Sequence, residues 1–248
     1  MKKLSVIIPT LQKNTDLLNN LIKTLDRDTS VSEIILIDNS CKGVNFKVEK
    51  LRLIMPKENL FVNPSWNLAV EEAKEEYIAI LNDDITIPDD FCKDVIENMN
   101  ENMGIVGFHR DFVENIPQVM PQPLKSQLTL EKTNGRCEFF GVAMFFPRAA
   151  YIKIPDDIKI FFGDDWIFCQ CKKNHRQNYL ISNQKIYHYG SLSSNDKKLN
   201  LYSENDGKLY RKYIRKWYNY IFNIECLFKG FRITIFGIEI SHHYDNKH

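Results

Sequence analysis

The 248-residue sequence has no apolar run near the ~20 residues that a membrane-spanning helix needs. Its longest candidate, FFGVAMFFP over 139–147, is the size of a strand. The basic start, MKKLSVIIPT, falls short of a secretory leader, because its apolar run covers only Leu4 to Ile8 and is broken by Ser5. There is no excess charge of one sign. The 33 Lys and Arg residues face 32 Asp and Glu residues, which argues against a nucleic-acid-binding domain. The six cysteines offer no C-x2-C zinc spacing and read as buried thiols in a reducing compartment. Both glycine-rich phosphate loops, G-x-G-x-x-G and G-x4-G-K-[ST], are missing, which argues against a dinucleotide dehydrogenase and a P-loop NTPase. No linker rich in Gly or Ser and no internal repeat divides the chain. These absences predict a cytoplasmic protein, or one held peripherally at the inner face of the plasma membrane.

What is present is an ordinary globular composition, 44% hydrophobic and 26% charged, with enough length for a full core. Continuous apolar runs at 4–9, 33–38, 76–81 and 104–108 read as buried parallel strands, and 50–55 as a further strand. Between them, residues 15–25, 63–74 and 88–99 have helical spacing, with Thr15 the expected N-cap of the first helix. Strands alternating with helices predict an α/β fold around a mostly parallel sheet. Farther on, 113–136 reads as a loop and 137–146 as a central strand. Residues 164–173 read as a short helix, and 178–182 and 185–189 as short strands. The predicted division is a domain over 1–203 and a C-terminal extension over 204–248.

Ligands of such sheets bind beyond the carboxyl ends of the strands. The residues there are Pro9 and Thr10, Asp38 and Asn39, and the triplet Asn82-Asp83-Asp84. Two adjacent carboxylates after a buried strand cannot enter the core unpaired, so Asp83 and Asp84 must face solvent, a cation or a metal. A second acidic pair, Asp164-Asp165 in FFGDDWIF, is flanked by aromatics, and a carboxylate so placed can act as a general base or simply cap a helix. His188 in IYHYGS completes a His-plus-carboxylate set suited to Mn²⁺ or Mg²⁺, although a lone strand histidine is more often structural.

Over residues 3–195 the order of these segments resembles family 2 glycosyltransferases of the GT-A fold. SVIIPT, IILIDNS, NLFVNPSWNLAVEEAKEEYIAILNDD and FFGDDWIF stand where that family has its opening strand, nucleotide-reading Asp, metal triplet and Glu-Asp motif. The resemblance implies an inverting, metal-dependent transfer from a nucleotide-diphosphate sugar, UDP first among the candidates, to a glycan or lipid-linked glycan acceptor. Bacterial surface polysaccharide synthesis is its implied setting. Pro9, Thr10, Asp38, Asn39, Asn67, Asn82 and Asp83 would serve the nucleotide. Asp84 and His188 would hold Mn²⁺ or Mg²⁺, Asp165 would be the base, and Asp164 would orient the acceptor or the base. Asn82 replaces the first Asp of the family triplet, and Asp164 replaces its usual Glu. A nucleotidyltransferase and a non-catalytic nucleotide- or glycan-binding module are the alternatives.

The extension contains the basic stretch 207–232, with seven Lys or Arg and one Glu, which leaves the rest of the chain net negative. Tyr210, Tyr213, Ile214, Trp217, Ile221 and Ile224 recur at helical spacing, which predicts an amphipathic helix that either lies on an anionic membrane or packs on the domain or a second subunit. RITIFGIEI, 232–240, reads as one strand, a candidate edge or homo-oligomer contact.

Overall fold

The computed structural model describes residues 2–116, 122–189, 197–214, 222–227, 230–235 and 238–243. The chain divides into two compact units, Met1–Asp206 and Gly207–His248.

The first unit is built on an eight-stranded sheet. Its strands are β1 (Leu4–Thr10), β2 (Val31–Asp38), β3 (Leu51–Ile54), β4 (Tyr77–Leu81), β6 (Met103–Phe108), β8 (Thr129–Thr133), β9 (Ala143–Pro147) and β10 (Gln177–Ser182), in the spatial order β3-β2-β1-β4-β9-β6-β10-β8. A small second sheet orders β5 (Ile85–Thr86), β11 (Ile186–His188) and β7 (Val113–Asn115) as β5-β11-β7. The helices are α1 (Thr15–Arg27), α2 (Val62–Glu72), α3 (Phe91–Glu97) and α4 (Gly163–Lys173), and the division at Asp206 falls within α5 (Lys197–Ile214). The large sheet carries the core. Leu4, Val6, Ile7 and Ile8 of β1, and Ile34 to Ile37 of β2, are all closed to solvent, as expected for strands covered on both faces. Leu17, Leu18, Leu21, Ile22 and Leu25 form the buried stripe of α1.

The sheet is mixed, with four parallel pairings and three antiparallel ones among the described residues. β1 pairs in parallel with β2 and β4, β2 with β3, and β6 with β10. However, β9 enters antiparallel between β4 and β6, and β8 caps the edge antiparallel to β10. The apolar segment 137–146 therefore becomes a strand only from Ala143, because Phe139 takes a left-handed conformation (φ 62°) and Phe140–Val142 form a 3₁₀ turn. The expected loop 113–136 contains both β7 and β8, while 117–121 lie outside the described residues. The helix expected over 88–99 covers only Phe91–Glu97, since Asp90 is left-handed (φ 56°). The N-cap of α1 is Asn14 and not Thr15. Asn14 Oδ1 accepts from Leu17 N–H at 3.1 Å, which satisfies one of the orphan donors of the first turn.

In the second unit, β12 (Phe222–Leu227), β13 (Gly230–Ile235) and β14 (Ile238–His243) form an antiparallel three-stranded sheet. Two expectations are corrected here. Ile224 lies in a strand, so 207–232 is not one amphipathic helix, and 232–240 contributes to two strands rather than one. Trp217 and Ile221 lie outside the described residues. Among the described residues no helix is long and apolar enough to cross a membrane.

Candidate active site

The ends of β1 and β4 open onto a cleft of about 600 Å³. Pro9, Thr10, Asn39, Asn82, Asp83, Asp84 and His188 line it, so seven of the predicted site residues share one cavity. Adjacent parallel strands explain part of this. The β1–β4 register sets Ile7 beside Ile80, so Thr10 and Asp83, each three residues farther on, come to the same level of the sheet. Thr10 Oγ1 then donates to Asp83 Oδ2 at 2.5 Å. Burial pushes the Asp83 carboxyl up to about 6; the Thr10 hydrogen bond opposes this and the neighbouring charge of Asp84 adds to it.

The small sheet brings His188 to the same place. β11 pairs with β5 so that His188 stands opposite Ile85, the residue after Asp84, and Tyr189 N–H donates to the Asp84 carbonyl at 2.8 Å. His188 Nε2 lies 3.3 Å from Asp84 Oδ1, while its Nδ1 lies 2.7 Å from Asn115 Oδ1 on β7. With Nδ1–H donating to Asn115, a neutral imidazole turns its Nε2 lone pair to the carboxylate, and an imidazolium turns an N–H to it. Two acceptors at that distance need a proton or a cation between them.

Asp38 and Asn67 do not line the cleft. The Asp38 carboxylate is closed to solvent, with Oδ1 accepting from Ser40 N–H and Oγ–H, and Oδ2 from Lys42 and Gly43 N–H. Burial pushes its carboxyl up, but these bonds outweigh it and hold the group below the usual carboxylate range. Asn67 is spent on another segment: its Nδ2 donates to the Ile154 carbonyl at 2.8 Å, and its Oδ1 accepts from Tyr151 Oη–H and Ile154 N–H. Both side chains tie loops in place, so their positions beside strand ends and on α2 do not translate into exposure to a ligand.

The second acidic pair opens α4. Arg136 bridges both carboxylates, with Nη1 3.0 Å from Asp164 Oδ2 and Nε 2.6 Å from Asp165 Oδ1. Burial pushes the Asp164 carboxyl up, Arg136 opposes this, and the charge of Asp165 adds to it. One guanidinium thus faces two carboxyl groups. The backbone also links this cluster to the cleft. Asp164 Oδ2 packs so closely on Gly141 that a Cβ there would lie 2.8 Å away, and the next residue, Val142, accepts from Asn82 N–H at 3.0 Å. A single turn before β9 therefore touches the Asp164 side chain and the backbone of Asn82, which precedes Asp83 and Asp84.

Gly163 fixes how α4 starts. A Cβ there would meet Asn63 Oδ1 at 2.1 Å and the Trp66 ring at 2.7 Å. Gly163→Ala is expected to destabilise the protein by about 1–3 kcal/mol through overpacking, read as a lower midpoint in urea. An unchanged midpoint would show that α4 shifts freely at its start.

The sequence model of glycosyl transferase family 2 matches residues 5–161, more than half of the chain. The chain belongs to glycosyl transferase family 2. Among solved structures this family 2 chain is similar to S. aureus TarS 1-349, with 16% identity and a TM-score of 0.54. The likeness covers 75% of this chain and 60% of that one, so the chain spans less than two thirds of TarS 1-349. At that identity the likeness speaks for the GT-A fold alone. No curated protein matches the chain.

Members of the family often use a divalent metal. Among the described residues no three His, Cys, Asp or Glu side chains gather as a ready metal cage. The facing lone pairs of Asp84 and His188 nevertheless fit a cation that takes its remaining ligands from substrate phosphates and water, the usual habit of Mg²⁺. Sequence reasoning missed Arg136 and Asn115, both of which fall in or beside the segment read as a loop. It also missed Lys13 and Tyr202, which line the cleft. No local pattern marks these residues, because each is defined by what the chain folds against it.

Proposed function

We propose that the cleft binds a nucleoside-diphosphate sugar, with UDP the first nucleotide to test, and that the chain transfers the sugar with inversion to a hydroxyl of a glycan or lipid-linked glycan in bacterial surface polysaccharide synthesis. The supporting observation is the Asp84–His188 pair, 3.3 Å apart on the cleft beside the Thr10–Asp83 bond. Asp84 and His188 would hold Mn²⁺ or Mg²⁺, which when bound supplies Lewis-acid charge at the donor diphosphate. Asn115 keeps the imidazole turned toward Asp84. Lys13 offers a positive charge on the cleft wall for the phosphates. Asp165 would take the proton of the acceptor hydroxyl as its oxygen bonds to the anomeric carbon and the bond to the diphosphate breaks. Asp164, held by Arg136 Nη1, keeps the start of α4 in place.

Calorimetry with UDP, with and without Mn²⁺, tests the reading. Binding that strengthens markedly with Mn²⁺ is the expected result. Equal binding without metal, or none, would favour a non-catalytic binding module. Thermal stabilisation by a panel of nucleotide sugars then identifies the sugar, since a ligand of the native state raises the melting temperature by mass action.

A further inference from the structure

The donor cleft and the acid pair share a support that lies beyond the residues matched by the family. Asp206, on α5, is fully buried, and its carboxylate accepts three successive backbone N–H groups: Lys159 at 3.2 Å, Ile160 at 2.8 Å and Phe161 at 2.9 Å. Such a run of N–H groups makes a concavity for an anion, and here a side chain of the same molecule fills it. The segment is gripped from its other side by α2, where Asn63 N–H donates to the Lys159 carbonyl at 2.9 Å and Asn63 Nδ2–H to the Phe161 carbonyl at 3.0 Å.

Both functional groups hang from this junction. Ile160 lines the cleft. Phe161 runs into Phe162, which is left-handed (φ 62°), and then directly into Gly163, Asp164 and Asp165. One turn before Asp206 on α5, Tyr202 also lines the cleft and meets the Phe61 ring at 5.2 Å between centroids. Phe61 has φ 67° and ψ −178°, a backbone conformation nearly confined to glycine, and such strain persists only when the surroundings over-determine it. Here they do: Asn39 Oδ1 accepts from Leu60 N–H at 3.0 Å, and Ser65 Oγ–H donates to the Phe61 carbonyl at 2.5 Å.

We infer that Asp206 is a positioning residue: it locks α5 to the segment 159–161, so that one buried carboxylate sets both the Ile160–Tyr202 wall of the donor cleft and the presentation of Asp164 and Asp165. The consequence is that the catalytic unit needs α5 through Asp206, three residues past the boundary that the sequence suggests.

Asp206→Asn keeps the shape and turns one acceptor into a donor. Amide hydrogen exchange in this variant is expected to speed up about 10-fold or more at 159–161 and also at 163–166 and 61–65, with β1 and α1 unchanged. Faster exchange confined to 159–161, or spread evenly over the unit, would overturn the coupling. If Asp206→Asn does not fold, Asp206→Glu keeps the acceptor on a longer arm. It should retain protection at 159–161 while exchange rises at 163–166, and wild-type exchange at 163–166 would overturn the inference. The second measurement rests on the donor-site reading above. Asp206→Asn should weaken UDP binding in Mn²⁺ about 5-fold or more and lower kcat about 10-fold or more. Ile22→Val, a core control, should lower the melting temperature without moving either. Failure of the wild type to bind UDP would count against the donor reading, whereas the exchange pattern decides the coupling independently.

Discussion

Asp165→Asn is expected to fold normally and to transfer sugar about 10²-fold or more slowly, the usual scale for loss of a general base. The substitution keeps the size of the side chain and an oxygen that can still face Arg136 Nε, 2.6 Å from Oδ1 in the native protein. It removes the carboxylate proposed to take the acceptor proton. The ion pair is partly exposed, so its loss should cost on the order of 1 kcal/mol or less. Asp165 does not line the donor cleft, so UDP affinity and the KM for the donor should stay near wild type while kcat falls. Steady-state kinetics with calorimetry separate these quantities. Near-normal turnover in Asp165→Asn would remove this residue from the chemistry and turn attention to its neighbour Asp164.

The second large effect belongs to the other acidic site. Asp84→Asn should abolish the Mn²⁺ dependence of UDP binding and reduce transfer on the order of 10²-fold or more, since metal charge on a diphosphate is worth several kcal/mol in the transition state. Without metal the variant and the wild type should bind UDP alike. Asn115→Ala gives the graded version. It leaves both proposed ligands in place but frees the His188 ring, 2.7 Å from Asn115 Oδ1 in the native protein, and loss of such an orienting partner typically costs 10–100-fold. An Asp84→Asn protein that still bound UDP more tightly with Mn²⁺ would move the metal elsewhere.

The cleft was largely legible in the sequence because it follows from a local rule. Continuous apolar runs become buried strands, and the polar residues that end them must emerge together at one edge of the sheet. Thr10, Asn39, Asn82, Asp83 and Asp84 obey that rule. Asp38 and Asn67 escape it, since a polar side chain beside a cleft can equally turn inward to satisfy backbone N–H and carbonyl groups. In the structure both do so.

By itself, then, the sequence determined the strand-and-helix alternation, the acidic edge and the family. Period and hydrophobicity act over a few residues, and they are written residue by residue. Only the tertiary structure decided that β9 enters antiparallel between β4 and β6, that the pairing of β11 with β5 aims His188 at Asp84, and that Arg136 sits across Asp164 and Asp165. The same holds for the three N–H groups that close on Asp206. Each of these joins residues far apart in the chain. A hydrogen-bonding or charged side chain leaves no periodic trace of its partner, so the choice is made by whichever backbone the packed sheet brings within reach.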